Sequence, residues 1–317
     1  GTPVALEMHR GILLGPVELA ARYEFNEKIP IVTGPNVIQI RAEDIHGRVA
    51  EKTVSIQREE SRGTVWAVVV GVNNYSKLPP LRYAVNDAQV FHDFLLETEL
   101  VEPDNMFRLI NEQATLNTLR SVMGTKLKKQ AGKSDMVIIY FAGHGATERD
   151  VNSPDGDGLE KYLLPYDADP TDLYATALPM REISYILNRI QSNRLIFVAD
   201  SCYSGASGGR TVSIGGTRTN LSDNYIDRIA GGKGRVILTA SAANEVSVEE
   251  ENLEHGVFTY YLIKGLRGDA DYDEDGYVTV DEAYRYVSEE VPKATGQEQH
   301  PIKKGSVEGQ LVLGIVK

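Results

Sequence analysis

What this chain lacks narrows its chemistry before any motif is read. Its 317 residues include one cysteine, so no disulfide can form within it and a reducing compartment is permitted. No stretch approaches the ~18 apolar residues that a membrane-spanning helix needs, and no charged-then-apolar leader opens the chain. Basic residues are outnumbered, 33 Lys and Arg against 45 Asp and Glu, for a net charge of −12. With no Lys/Arg-rich run either, nucleic acid is not an expected partner and no membrane association is expected. The acidity would favour cationic partners or substrates, although solubility is the blander explanation. A Walker phosphate loop and a His-Glu-x-x-His motif are both absent, which argues against nucleotide hydrolysis and zinc-peptidase chemistry. A cytoplasmic location is favoured. The opening Gly1-Thr2-Pro3 leads us to expect that a signal or upstream regulatory domain precedes it.

What is present divides at about residue 62. Before that point, Ile31-Val32-Thr33, a Gly34-Pro35-Asn36 turn and Val37–Ala42 carry the period of a strand. His46-Gly47 marks a second turn, and Val49–Ile56 is again β-like. Residues 1–62 are therefore expected to form a small β-rich module, a hairpin or partial sandwich, closed by the charged linker Arg58–Gly63.

Residues 63–317 change character. Thr64–Val72 is a continuous apolar run, as a strand buried on both faces requires. Met136–Phe141, Arg194–Ala199 and Arg235–Thr239 repeat the pattern. Between them, Ala84, Ala88, Phe91 and Leu95 keep helical spacing, and helices are expected near 114–129, 180–191 and 256–266. Strands alternating with helices predict an α/β fold, three layers around a largely parallel sheet, with ligands at the carboxyl ends of the strands.

Two of those strand ends carry reactive side chains. Met136–Phe141 runs into Ala142-Gly143-His144-Gly145, and Leu195–Val198 runs into Ala199-Asp200-Ser201-Cys202-Tyr203-Ser204-Gly205. Parallel neighbours would bring His144 and Cys202 to one edge. An imidazole there serves as general base and lowers the thiol pKa, and thiolate is the attacking species. The N–H groups of Gly145 and Cys202 are candidate oxyanion donors. A lone cysteine is otherwise an inert small hydrophobe, and a lone histidine a satisfied structural residue. Gly205-Ala206-Ser207-Gly208-Gly209 formally fits a serine-hydrolase elbow, but that elbow must follow its strand directly and this one does not.

The pair Gly143-His144-Gly145 and Asp200-Ser201-Cys202-Tyr203-Ser204-Gly205 resembles the caspase-like cysteine peptidases, whose histidine lies about 50 residues before the cysteine. Val68–Tyr75, Leu81–Ala88, Val236–Ser241 and His255–Leu262 extend the resemblance over roughly residues 64–317. It implies a large portion of about 63–210 and a small one of about 225–317. Caspases proper carry Gln-Ala-Cys at the nucleophile. The Asp-x-Cys form here is similar to metacaspases, paracaspases and their bacterial relatives (orthocaspases). That likeness implies that Asp200 and Asp87 line the S1 pocket and receive Arg or Lys, which suits two carboxylates facing a guanidinium or ammonium. Asp87 is alternatively a first-turn helix carboxylate, and Asp200 a loop cap. The resemblance also implies protein or peptide substrates with basic P1 residues. Self-cleavage after Arg210 or Arg218 is a further implication, in a Gly/Ser/Thr-rich loop expected to be flexible.

One more motif stands apart. Asp271-Tyr272-Asp273-Glu274-Asp275-Gly276-Tyr277-Val278-Thr279-Val280-Asp281-Glu282 fits an EF-hand calcium loop position by position. Asp271, Asp273, Asp275, the Tyr277 carbonyl, Thr279 (directly or through water) and bidentate Glu282 are the expected Ca²⁺ ligands, with Gly276 at the sharp turn. An acidic turn without metal is the alternative. A second acidic stretch, Asp167, Asp169 and Asp172, is either another ion site or a solvated loop. A catalytically inactive, calcium-binding scaffold is the competing function.

Overall fold

The computed structural model describes residues 34–43, 46–58, 63–201, 222–232 and 234–316. The chain divides after residue 61 into two units. In the first, β1 (Gly34–Glu43) and β2 (Val49–Arg58) pair antiparallel over ten residues each, turning at His46-Gly47. Gly34-Pro35-Asn36, expected as a turn, belongs to β1 instead, with Pro35 opposite Gln57. A two-stranded ribbon has only edges, so proline's missing N–H can face outward at no cost to the ladder. Ile31–Thr33 and most of the charged linker lie outside the described residues.

The second unit is built on a six-stranded sheet. Its first strands are β3 (Val65–Gly71), β4 (Met106–Ile110) and β5 (Met136–Ala142). A small antiparallel sheet follows, from β6 (Gly145–Arg149), β7 (Leu159–Leu163) and β8 (Leu178–Pro179). The chain then returns to the large sheet through β9 (Arg194–Asp200) and β10 (Arg235–Thr239). Two-residue strands β11 (Glu249–Glu250) and β12 (His255–Gly256) form a ribbon, and β13 (Tyr277–Thr279) pairs with β15 (Val312–Ile315). Strand β14 (Ile302–Ser306) completes the large sheet, whose order is β14-β10-β9-β5-β3-β4. All neighbours in it are parallel except β14, which runs against β10.

Helices cover both faces because every central strand is apolar on both. Ala67 and Val69 of β3 pack on one side with α1 (Ala84–Glu97), α7 (Val257–Lys264) and α8 (Val280–Ala294). Val68 and Val70 pack on the other with α2 (Leu116–Ser121), α5 (Met180–Arg189) and α6 (Asn224–Ala230). Alternate residues of one strand thus feed two cores, which makes the three layers. Helix α2 runs through a wide turn at Val122–Leu127 into α3 (Lys128–Gln130), and the short α4 (Leu173–Thr176) caps a loop.

Register decides where the chemistry sits. Gly71, Ala142 and Asp200 are aligned across β3, β5 and β9. From β3 the chain goes first to β4 on one side and then to β5 on the other, so the topological switch point lies between β3 and β5. Crevices at such points are where open α/β sheets bind ligands.

The hairpin β6–β7, which starts directly after His144, is held by a buried ion cluster. Lys161 is fully buried and its ammonium contacts Asp155 at 3.1 Å as well as Asp157. Arg228 of α6 grips Asp155 with Nε at 2.9 Å and an Nη at 3.2 Å, and Asp157 accepts the Ser222 amide at 3.0 Å. Burial opposes ionisation of Asp157, but the Lys161 and backbone hydrogen bonds outweigh it and its pKa falls. Lys161→Met is expected to cost about 3 kcal/mol, because it strands buried carboxylates rather than removing a whole pair. Urea unfolding of the variant checks it, and a midpoint unchanged from wild type would contradict it.

Candidate active site

His144 stands two residues past Ala142, in the crevice, with 4% of its surface exposed. Two residues of the loop after β3 fix it. The Tyr75 hydroxyl accepts the His144 backbone N–H at 2.7 Å, and the two rings lie 4.9 Å apart at 36°. The ring's Nε2 is 2.9 Å from the Pro79 carbonyl oxygen. A carbonyl only accepts, so the hydrogen of neutral His144 sits on Nε2 and the basic lone pair on Nδ1. Gly143 makes this possible: a Cβ there would lie 2.7 Å from the Tyr75 hydroxyl.

Gly145 opens β6. His144 accepts the Leu164 amide at 3.0 Å, which makes that pair a hydrogen-bonded one in the β6–β7 ladder. Antiparallel pairs alternate, so the next residue, Gly145, turns its N–H away from β7 and out of the ladder.

The neighbouring strand end is tied to this one, since the Gly143 amide donates to the Asp200 carbonyl at 3.3 Å. Ser201, buried, is the last described residue before residue 222. Cys202 follows it in sequence and lies outside the described residues, as do Arg210 and Arg218. In sequence, Cys202 is as far beyond Asp200 as His144 is beyond Ala142, and those two strand residues are partners in the sheet.

Asp87 and Asp200 are both fully buried, and both meet the start of α7. Asp200 accepts hydroxyls from Ser247 and from Thr259 in the first turn of α7, each at 2.7 Å. Thr259 is in turn 2.6 Å from the Tyr140 hydroxyl. Asp87, in the first turn of α1, lies 2.7 Å from His255 Nδ1 and accepts the Gly256 amide with both oxygens, at 3.2 and 3.1 Å. Gln299, fully buried, donates to the Ala240 carbonyl at 2.9 Å and accepts the Val248 amide at 3.0 Å, which steadies the loop carrying Ser247. Sequence reasoning picked out His144, Asp87 and Asp200 but not Tyr75, Pro79, Ser247, Thr259 or His255. Tyr75, Thr259 and His255 do fall inside motif blocks quoted above, and that was their only signal.

The acidic loop lies between α7 and α8, with its strand β13 paired to β15. Asp271, Asp273 and Asp275 bring carboxylate oxygens within 4.8 Å of one another, the one such acidic group among the described residues. Asp271 also accepts the amides of Asp275 and Gly276, each at 3.1 Å, and Gly276 has the positive φ (84°) that the turn requires. Glu282 does not join them. It closes a capping box on α8, where its Oε2 accepts the Thr279 amide and hydroxyl at 2.8 Å each. Asp167, Asp169 and Asp172 do not converge either: Asp167 caps α2 at the Leu116 amide, Asp169 pairs with Lys77, and Asp172 caps α4. Two helix caps and the Lys77 ion pair account for these three carboxylates.

Comparison with known proteins gives a consistent result. The family model described as "Caspase domain" matches residues 64–311. Metacaspase-1 of Sclerotinia sclerotiorum is 24% identical over 178 residues, which is 51% of this chain and 38% of that protein. The chain thus spans well under half the length of this curated relative. Among solved structures, a Geobacter sulfurreducens protein superposes with a TM-score of 0.58 at 15% identity, over 80% of this chain and all of that one. Caspase-1 from Spodoptera frugiperda superposes with a TM-score of 0.51 at 12% identity, over 81% of this chain and 92% of that one.

Proposed function

Because this chain belongs to the caspase-domain family, we propose that it is a cysteine endopeptidase cutting after Arg or Lys, with Cys202 as nucleophile and His144 as base. The observation that supports this most is the ring of His144. Its Nε2–H is committed to the Pro79 carbonyl, which makes Nδ1 the basic nitrogen at the strand edge that Asp200 shares. In this reading Nδ1 takes the Cys202 proton, and the thiolate attacks the scissile carbonyl carbon. The oxyanion that forms is held by the N–H of Gly145 and of Cys202. Collapse expels the amine, which leaves with the proton from the imidazolium, and a thioester remains. Water, deprotonated by His144, then attacks the thioester and releases the acid.

Asp87 and Asp200 supply the negative charge that selects a basic P1 side chain. A panel of fluorogenic peptides ending in Arg, Lys or Asp tests this: the basic ones should be cut and the Asp one not. Turnover that survives Cys202→Ala would sink the reading, and no turnover under any condition would favour the inactive scaffold. Self-processing after Arg210 or Arg218 belongs to the same proposal. Intact mass after incubation should show two fragments for wild type and one chain for Cys202→Ala; identical spectra would count against it.

We further propose that the Asp271–Glu282 loop binds Ca²⁺. Its donors are all hard oxygens, three of them already grouped, and Glu282 would have to leave its cap to complete the set. At 100 times Kd, Ca²⁺ should add about 2.7 kcal/mol of stability, read as a rise in melting temperature that EDTA reverses. Asp273→Ala should abolish the rise, and a rise that persists in this variant would place the ion elsewhere.

A further inference from the structure

Asp87 has a neighbour that the function above does not yet use. Its carboxylate is fully buried, whereas the side chain of His255, 2.7 Å away through Nδ1, is 24% exposed. The imidazole therefore stands at the boundary between Asp87 and solvent. A carboxylate accepts, so the proton of neutral His255 lies on Nδ1, which leaves Nε2 as an acceptor. Nε2 has no hydrogen-bond partner among the described residues. The backbone leaves Asp87 little freedom to move outward, because the Gly256 amide at the start of α7 holds both of its oxygens.

We infer that His255 is a specificity-determining residue: Asp87 acts on the P1 side chain through it, with Nε2 of His255 accepting an N–H from the substrate's guanidinium or ammonium. This rests on the reading of Asp87 as part of the S1 pocket. The buried carboxylate polarises the ring and fixes its tautomer, in the way that an aspartate orients and strengthens a histidine ligand of a metal. The negative charge of Asp87 is thereby felt at the surface without the carboxylate being exposed. A protonated His255 has a second N–H in place of that lone pair and would repel a cationic P1 group.

The groups around His255 fit this role. Asp87 faces it from α1, Glu250 lies opposite it across the β11–β12 ribbon, and Glu249 lies opposite Gly256. Glu254 precedes it in the chain, and the Tyr260 ring of α7 is 6.5 Å away. Of these carboxylates Asp87 is the one in hydrogen-bond contact with the ring, and Glu249 is held by the Arg82 and Tyr83 amides.

The test is steady-state hydrolysis of an Arg-terminated peptide by the whole chain, with three forms compared. His255→Phe keeps the ring size but has no acceptor, and KM should rise about tenfold or more with kcat within twofold. His255→Gln restores both a donor and an acceptor and should recover most of the loss. A KM that is unchanged or lower in His255→Phe, with Arg peptides still cut by wild type, overturns this inference alone. Wild type that shows no preference for basic P1 residues overturns the S1 reading, and this inference with it.

Discussion

His144→Ala is expected to lower kcat on an Arg-terminated peptide by about 10³-fold, within the 10²–10⁴ that a positioned general base contributes. Cys202→Ala should lose about 10⁶-fold, the scale seen when a catalytic nucleophile is removed, and the double variant should be no worse than Cys202→Ala. The two residues act on one proton, so their effects cannot add. A second readout separates a lost base from a damaged fold. The chain has one cysteine, so iodoacetamide alkylation followed by mass reports on Cys202 alone. Alkylation near neutral pH should be slower in His144→Ala, because without the imidazole less of the thiol is ionised. Equal alkylation rates in wild type and His144→Ala would mean that His144 does not activate this thiol. Tyr75→Phe should give a milder version of the same defect, since it removes the hydroxyl that holds the His144 backbone but leaves the Pro79 bond intact.

Asp200→Asn is expected to lower kcat/KM for Arg and Lys peptides by about 100-fold or more, the cost of removing one partner of a buried, hydrogen-bonded charge pair. The substitution is close to isosteric. Its amide can be accommodated because the Ser247 and Thr259 hydroxyls both donate and accept, and the Tyr140 hydroxyl can reverse its bond with Thr259. The charge is what disappears. Cys202 alkylation and the melting temperature should therefore stay close to wild type while activity on basic substrates falls. Loss of alkylation and stability together would make Asp200 a structural residue only. An unchanged kcat/KM for Arg peptides would remove it from the S1 pocket.

Some of this was legible in the sequence because it depends on local pattern. Val65–Gly71, Met136–Ala142, Arg194–Asp200 and Arg235–Thr239 are apolar on both faces, and that pattern implies central parallel strands flanked by two helical layers. Turns were less secure. Gly34-Pro35-Asn36 carries turn residues yet extends β1, because pairing with β2 outweighs a weak local preference. Glu282 fits both an EF-hand ligand position and a capping box. Both patterns place an acid three residues after Thr279, so spacing could not separate them.

The amino-acid sequence alone determined that His144 and Asp200 stand at strand ends and that only Cys202 can serve as a thiol nucleophile. Periodicity and chain order place His144 and Cys202 each just past its own strand in the chain, and the sheet register then aligns the two strands. Tertiary structure decided which nitrogen of His144 is basic and what stands in front of Asp87. Those answers come from Pro79, 65 residues before His144, and from His255, 168 residues after Asp87. Contacts at such separations are set by how loops from different strands meet over the sheet edge, and no short-range pattern encodes that meeting.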